Sequence, residues 1–164
     1  MTPSMERRSD WPSFEQTAPG VAAAMALLGK AIDDSGLEKP LTELLKVRAS
    51  QLNGCAFCLQ FHLNMARRLG VAQAKIDLVA TWRDAGVFSA RERAALAWTE
   101  ALTLMAREPV TDALYDEVQA AFTKSEIAFL TAAIAAINAW NRIAGSLQFA
   151  PPAATGHGRD SAGA

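Results

Sequence analysis

Residues 53–62 read NGCAFCLQFH and hold both cysteines of a 164-residue chain and one of its two histidines. Cys55, Cys58 and His62 are spaced by three and four residues, so in a helix advancing about 100° per residue they share one face. Asn53-Gly54 breaks the chain just before them and puts the cysteines in the first turn of the helix that follows. There, unpaired N–H groups and the helix dipole favour a thiolate over a thiol. His62, one turn past Cys58, is placed to accept the thiol proton or to stabilise the thiolate as an imidazolium. Helix-end position favours Cys55 as the attacking sulfur, whereas reach of the base favours Cys58. Proton transfer needs direct reach, so Cys58 is read as the nucleophile. A cysteine pair at i and i+3 of an ideal helix is slightly too far apart for a relaxed disulfide, so closure is expected to need a tightened first turn.

Other uses of the pair find less support in the residues. Two buried, inert cysteines would not need a histidine on the same stripe. A structural zinc site needs four ligands, and the chain offers no third cysteine, only a carboxylate such as Glu43 or water, so no metal is expected. A c-type haem signature requires histidine directly after the second cysteine, where Leu59 stands. The strand–helix–strand pattern of a thioredoxin fold is missing.

Composition narrows the partners. The formal net charge is −1, with no basic stripe, so neither nucleic acid nor an anionic membrane surface has an evident electrostatic handle. The chain is 51% hydrophobic and long enough to bury a core. No uninterrupted apolar run reaches the roughly 18 residues of a membrane span, so none is expected. The stretch VAAAMALL at 21–28 is bracketed by Pro19-Gly20 and by Lys30 and Asp33-Asp34, unlike a signal sequence. A cytoplasmic protein is expected, and in a reducing compartment a cysteine pair serves redox or metal chemistry rather than stapling.

These side chains have to be positioned by helices. Alanine and leucine abound, β-branched runs are missing and breakers recur, so the fold class is all-α, with six or seven helices. The pattern predicts helices at about 20–34, 40–52, 55–69, 72–84, 89–106, 111–122 and 124–148. Ser89 with Glu92 reads as a capping box, Ser35 with Glu38 as a weaker one, and Thr111-Asp112 and Ser125-Glu126 mark two further starts. Residues 1–19, with three prolines and no periodicity, read as an irregular arm, 20–149 as the helical domain, and 150–164 as a disordered tail that removes His157 from consideration. The tryptophans, Trp82 and Trp140 among them, are read as core or interface packing. Asn138 and Asn141, three apart on an apolar helix, need partners if buried.

Glu43, eleven intervening residues, Cys55-x-x-Cys58, three intervening residues and His62 together resemble the core motif of the AhpD-like alkylhydroperoxidases in the carboxymuconolactone decarboxylase superfamily. LKVRASQLNGCAFCLQFH, TWRDAGVFSARERAALAWTEALTL and IAAINAWNRIA are similar to its small single-repeat members, a likeness that covers most of 20–148. The resemblance implies an all-helical homo-oligomer, trimer or hexamer, with a peroxidatic Cys58, a resolving Cys55, His62 as proton carrier and Glu43 orienting or charging it. It implies a hydroperoxide substrate, a lipoylated or thioredoxin-like dithiol protein as reductant, and no further cofactor. Residues read without the resemblance make Glu43 a solvated partner of Lys46. The best-known peroxidases of the family carry a further histidine between the cysteines, where this chain has Phe57. Two other readings stand beside this one: a cofactor-free decarboxylase of the same superfamily, and a non-enzymatic helical oligomer whose cysteines bind metal or sense oxidation.

Overall fold

The computed structural model describes residues 7–155, and every regular element among them is helical. The order is α1 (Trp11–Thr17), α2 (Pro19–Asp33), α3 (Lys39–Asn53), α4 (Ala56–Arg68), α5 (Gln73–Leu78), a 3-10 turn (Val79–Thr81), α6 (Ala90–Thr103), α7 (Asp112–Ala121) and α8 (Lys124–Ser146). The 23-residue α8 is the axis, touching α2, α3, α4, α6 and α7. By length and composition it is apolar enough to cross a membrane, with mean hydropathy 1.3, contrary to the reading that no segment reaches that mark. Its Leu130, Ala133, Ile134, Ile137 and Ala144 are instead buried against neighbouring helices.

The larger core cluster joins α3, α6 and α8 through Leu44, Leu45, Val47, Leu96, Leu130 and Ile134. Removing each such leucine or isoleucine from water contributes roughly 1.5–3 kcal/mol. A smaller cluster holds Ala49, Cys55, Cys58, Ile137, Ala144 and Phe149, so the cysteine pair is itself part of an apolar core.

Helix starts follow the expected chemistry in most places. Ser89 and Glu92 form a complete capping box, and Thr111 caps α7 by accepting from the Leu114 N–H. At α8 Ser125-Glu126 lie in the first turn as expected, and the N-cap is Thr123, two residues before Ser125, with Glu126 closing the box. Ser35 does not cap α3. Its hydroxyl accepts from the Leu37 N–H in the connecting turn, and Glu38 occupies the N-cap without a side-chain bond. The predicted helix over 72–84 tightens to 3-10 geometry after Leu78 and ends at Thr81.

Two terminal expectations are corrected. The arm read as irregular contains α1, capped by the Asp10 carboxylate, which accepts from the Ser13 N–H, with Pro12 in the first turn. Long-range packing holds this helix: Trp11 lies 5.3 Å from Trp140 between ring centres, and Phe14 lies 6.0 Å from Phe149. The described part of the tail read as disordered is anchored to α4. Asn64 donates to the Ala153 carbonyl and accepts from the Thr155 backbone N–H and hydroxyl. His157 lies outside the described residues.

Candidate active site

The site begins at a turn. Gly54 adopts φ +66°, a left-handed conformation that costs an ordinary residue about 1–2 kcal/mol and glycine little. It ends α3 and reverses the chain into α4. The turn is pinned to α8 by Asn53, whose amide donates to Asn138 Oδ1 at 3.0 Å and Asn141 Oδ1 at 2.9 Å. Asn141 donates onward to Ser50 Oγ, and Asn138 to Thr103 Oγ1. The two asparagines thus brace the approach to the cysteines.

Cys55 is the N-cap of α4 and Cys58 sits in its first turn. The Cys58 N–H points at Cys55 Sγ, 3.3 Å away, as an N-cap donor would. The two sulfurs are joined as a disulfide with Cα atoms 5.4 Å apart, inside the usual range. Cys55 is the cap and not itself helical, whereas the expectation put both cysteines in the first turn. Cys55 has φ −86° and ψ 97°, so as an extended cap residue its side chain is released from the helical direction assumed for an i to i+3 pair. Both cysteines are buried, and Gly145 of α8 lies beside Cys55, where a Cβ would make an ordinary van der Waals contact at 3.8 Å from Cys55 Cβ.

Glu43 reaches across from α3. Its Oε2 lies 2.7 Å from His62 Nδ1 and its Oε1 2.8 Å from Lys46 Nζ, so the site contact and the local Lys46 pairing are both present, one on each oxygen. The carboxyl is buried, which alone pushes its pKa up. The hydrogen bond and charge of His62, followed by the charge of Lys46, outweigh that and hold it below the usual carboxylate range. An ionised carboxylate only accepts, so His62 Nδ1 carries the hydrogen and Nε2 remains for chemistry. His62 Nε2 has no protein partner among the described residues.

Cys58 and His62 line one cavity of about 430 Å³ together with Trp11, Phe57, Phe61 and Trp140. Cys55 is not in that lining. All four residues singled out from the sequence therefore converge, with Cys58 on the approach side and Cys55 behind it. The sequence reading missed the cavity's aromatic lining. Trp140 had been assigned to packing, and α1, which supplies Trp11, was not foreseen; Phe57 and Phe61, four apart on α4, were the available signal. A second buried carboxylate, Glu100, was also missed. It accepts from Trp82 Nε1 at 2.9 Å and Arg48 Nε at 2.7 Å and pairs with Arg83. Burial raises its pKa, and the bonds from Trp82, Arg83 and Arg48 bring it below the ordinary value. This cluster ties α3 to α6 away from the cysteines. Among the described residues no group of three or more His, Cys, Asp and Glu side chains is arranged to hold a metal ion.

The carboxymuconolactone decarboxylase family model matches residues 19–101, from α2 to α6. An uncharacterized protein of Bacillus subtilis, YdfG, is 34% identical over 131 residues, covering 80% of this chain and 89% of its own length. A crystal structure from Agrobacterium tumefaciens, of a protein of unknown function described as an AhpD antioxidant defence protein, superposes with TM-score 0.85. It is 35% identical and covers 90% of this chain and 99% of that one. The debrominase Bmp8 shares the fold at 20% identity and TM-score 0.73, covering 84% of this chain and 74% of its own.

Because the Glu43 pKa is lowered on folding, its ion contacts add stability above the unfolded carboxylate pKa of about 4.3. That contribution is lost as pH falls through the lower folded value. Denaturant unfolding of Glu43→Gln against wild type should show a deficit of roughly 1–3 kcal/mol at pH 7 that shrinks toward acid. A deficit independent of pH would contradict the charged contact.

Proposed function

The chain belongs to the carboxymuconolactone decarboxylase family, in its AhpD-like branch, and on that premise we propose that it is a thiol-dependent peroxidase cycling between a Cys55/Cys58 dithiol and disulfide. The observation that carries the reading is the placement of Cys58 and a carboxylate-oriented His62 on one cavity, with Cys55 bonded to Cys58 from behind.

In the reduced protein, His62 Nε2 takes the Cys58 proton, and the thiolate attacks the outer oxygen of a hydroperoxide. The O–O bond breaks, the alkoxide collects the proton from His62, and Cys58 becomes a sulfenic acid. Cys55 then attacks the Cys58 sulfur, hydroxide leaves as water, and the disulfide forms. In sum, ROOH and two thiols give ROH, water and a disulfide. A dithiol protein, lipoylated or thioredoxin-like, returns two electrons through a mixed disulfide, which suits a reducing, cytoplasmic setting. Glu43 keeps Nδ1 protonated, so that Nε2 is the basic nitrogen in the resting state and the imidazolium is stabilised once formed. The decarboxylase reading fits the cavity less well. Lactones that carry carboxylates need a cation to receive them, and among the described residues the lining offers only His62 beside apolar and aromatic groups.

A homo-oligomer, trimer or hexamer, also belongs to this proposal. On α2, Val21, Ala23, Ala24, Leu27 and Leu28 are exposed together, Leu27 to 68%, and this contiguous apolar helix face is suited to a second copy.

Peroxide challenge of the reduced protein with a dithiol reductant and mass mapping should yield the internal disulfide and multiple turnovers. Cys58→Ser should lose at least about 100-fold in rate, the scale of losing nucleophile activation. A variant as fast as wild type, or sulfenic acid trapped on Cys55, would overturn the assignment. Light scattering on a size-exclusion column should give a multiple of the monomer mass, reduced by Leu27→Glu. A monomeric wild type would sink the oligomer.

A further inference from the structure

The α1 helix lies outside the stretch matched by the family model, yet it contributes a wall to the site. Contacts with α8 and the residues just after it fix it there besides its cap. The Ser9 N–H donates to the Leu147 carbonyl at 3.0 Å, Arg8 donates to the Ser146 carbonyl at 2.9 Å, and Phe14 packs edge-on to Trp140 at 6.2 Å. Trp11 is thereby held against Trp140 on the α8 side of the cavity, while Phe57 and Phe61, stacked at 6.3 Å, form the α4 side. Four of the six lining residues are aromatic, and Cys58, itself only 3% exposed, opens into this chamber.

We propose that α1 is a specificity element, and that Trp11, with Trp140, Phe57 and Phe61, selects neutral, bulky, arene-bearing organic hydroperoxides over hydrogen peroxide. This rests on the peroxidase reading and adds to it the substrate's body. A ligand of this class buries its hydrocarbon part against the rings, edge-to-face contacts being available on both walls. Its hydroperoxy end is left toward Cys58 and His62, the polar end of the lining. Hydrogen peroxide gains nothing from the aromatic walls, and among the described lining residues an anionic ligand meets no lysine or arginine. Cleavage follows the balance given above, the arene-bearing alcohol and water being the products and the dithiol the electron source.

The test uses cumene hydroperoxide, hydrogen peroxide, and 2-phenyl-2-propanol, the alcohol product, which carries no oxidant. With full-length protein, the kcat/KM ratio of cumene hydroperoxide to hydrogen peroxide should exceed one. It should fall about tenfold in Trp11→Ala, the scale of losing one large apolar contact in a pocket, with Trp11→Phe restoring most of it. Phe61→Ala, at a side chain 45% exposed and therefore truncated without opening the core, should lower the ratio in the same direction. Calorimetry of 2-phenyl-2-propanol with the disulfide form reads the chamber without any turnover: binding to wild type should weaken about tenfold in both alanine variants. A ratio unchanged in both variants, or no measurable binding to wild type, overturns the specificity assignment even if peroxide is consumed. If neither peroxide is consumed, the peroxidase reading fails, and the calorimetry still decides the chamber.

Discussion

A buried carboxylate governs the arrangement of α3 and α4. Left unpaired, the charge of Glu43 would cost several kcal/mol, and burial by itself would push the group toward its neutral form. Lys46, one turn along the same helix, meets one oxygen, and His62 of the next helix meets the other. The second contact can form only if α4 leaves the turn at one angle and presents Cys58 and His62 on the face toward α3. The compensation that makes the charge tolerable is therefore the same contact that sets the imidazole tautomer. On the proposed function, stability and reactivity share one hydrogen bond.

The turn supplies that angle. Gly54 lets α3 end abruptly, and Asn53 converts two asparagines of α8 into a bracket around the reversal. Because Cys55 is a cap and not a helical residue, its sulfur can swing to Cys58 while its backbone carbonyl already accepts the first bond of α4, from Leu59. Such a cap suits the proposed thiol–disulfide cycle, because the sulfur can move without breaking a backbone bond of the helix. Gly145 of α8 lies beside Cys55, and Cys58 faces the aromatic chamber.

What could be read from residues alone was what is local. The four-residue spacing of Cys58 and His62 survives folding because a helix turns it directly into a shared face, and Ser89, Glu92 and Thr111 cap as their side chains dictate. Glu43 lay beyond that reach, since its local pattern pointed to Lys46 and only the family resemblance joined it to His62; the structure contains both partners. Misread features depended on distant contacts. Trp11 and Phe14 have no helical period of their own, and α1 persists because Trp140 and Phe149, over a hundred residues away, receive them. The described end of the tail is likewise ordered by Asn64, a residue whose reach toward Ala153 and Thr155 no neighbouring sequence announces.

The central claim is that Glu43 and His62 make Cys58, rather than Cys55, the reactive sulfur. Mass-mapped alkylation of the reduced protein across pH 5–9, in wild type and His62→Gln, tests this most directly. The expected result is rapid labelling of Cys58 at pH values where an ordinary thiol, with its pKa of about 8.5, stays largely silent, slowed at least about tenfold by the substitution. Faster labelling of Cys55, or a Cys58 rate indifferent to His62, would contradict it.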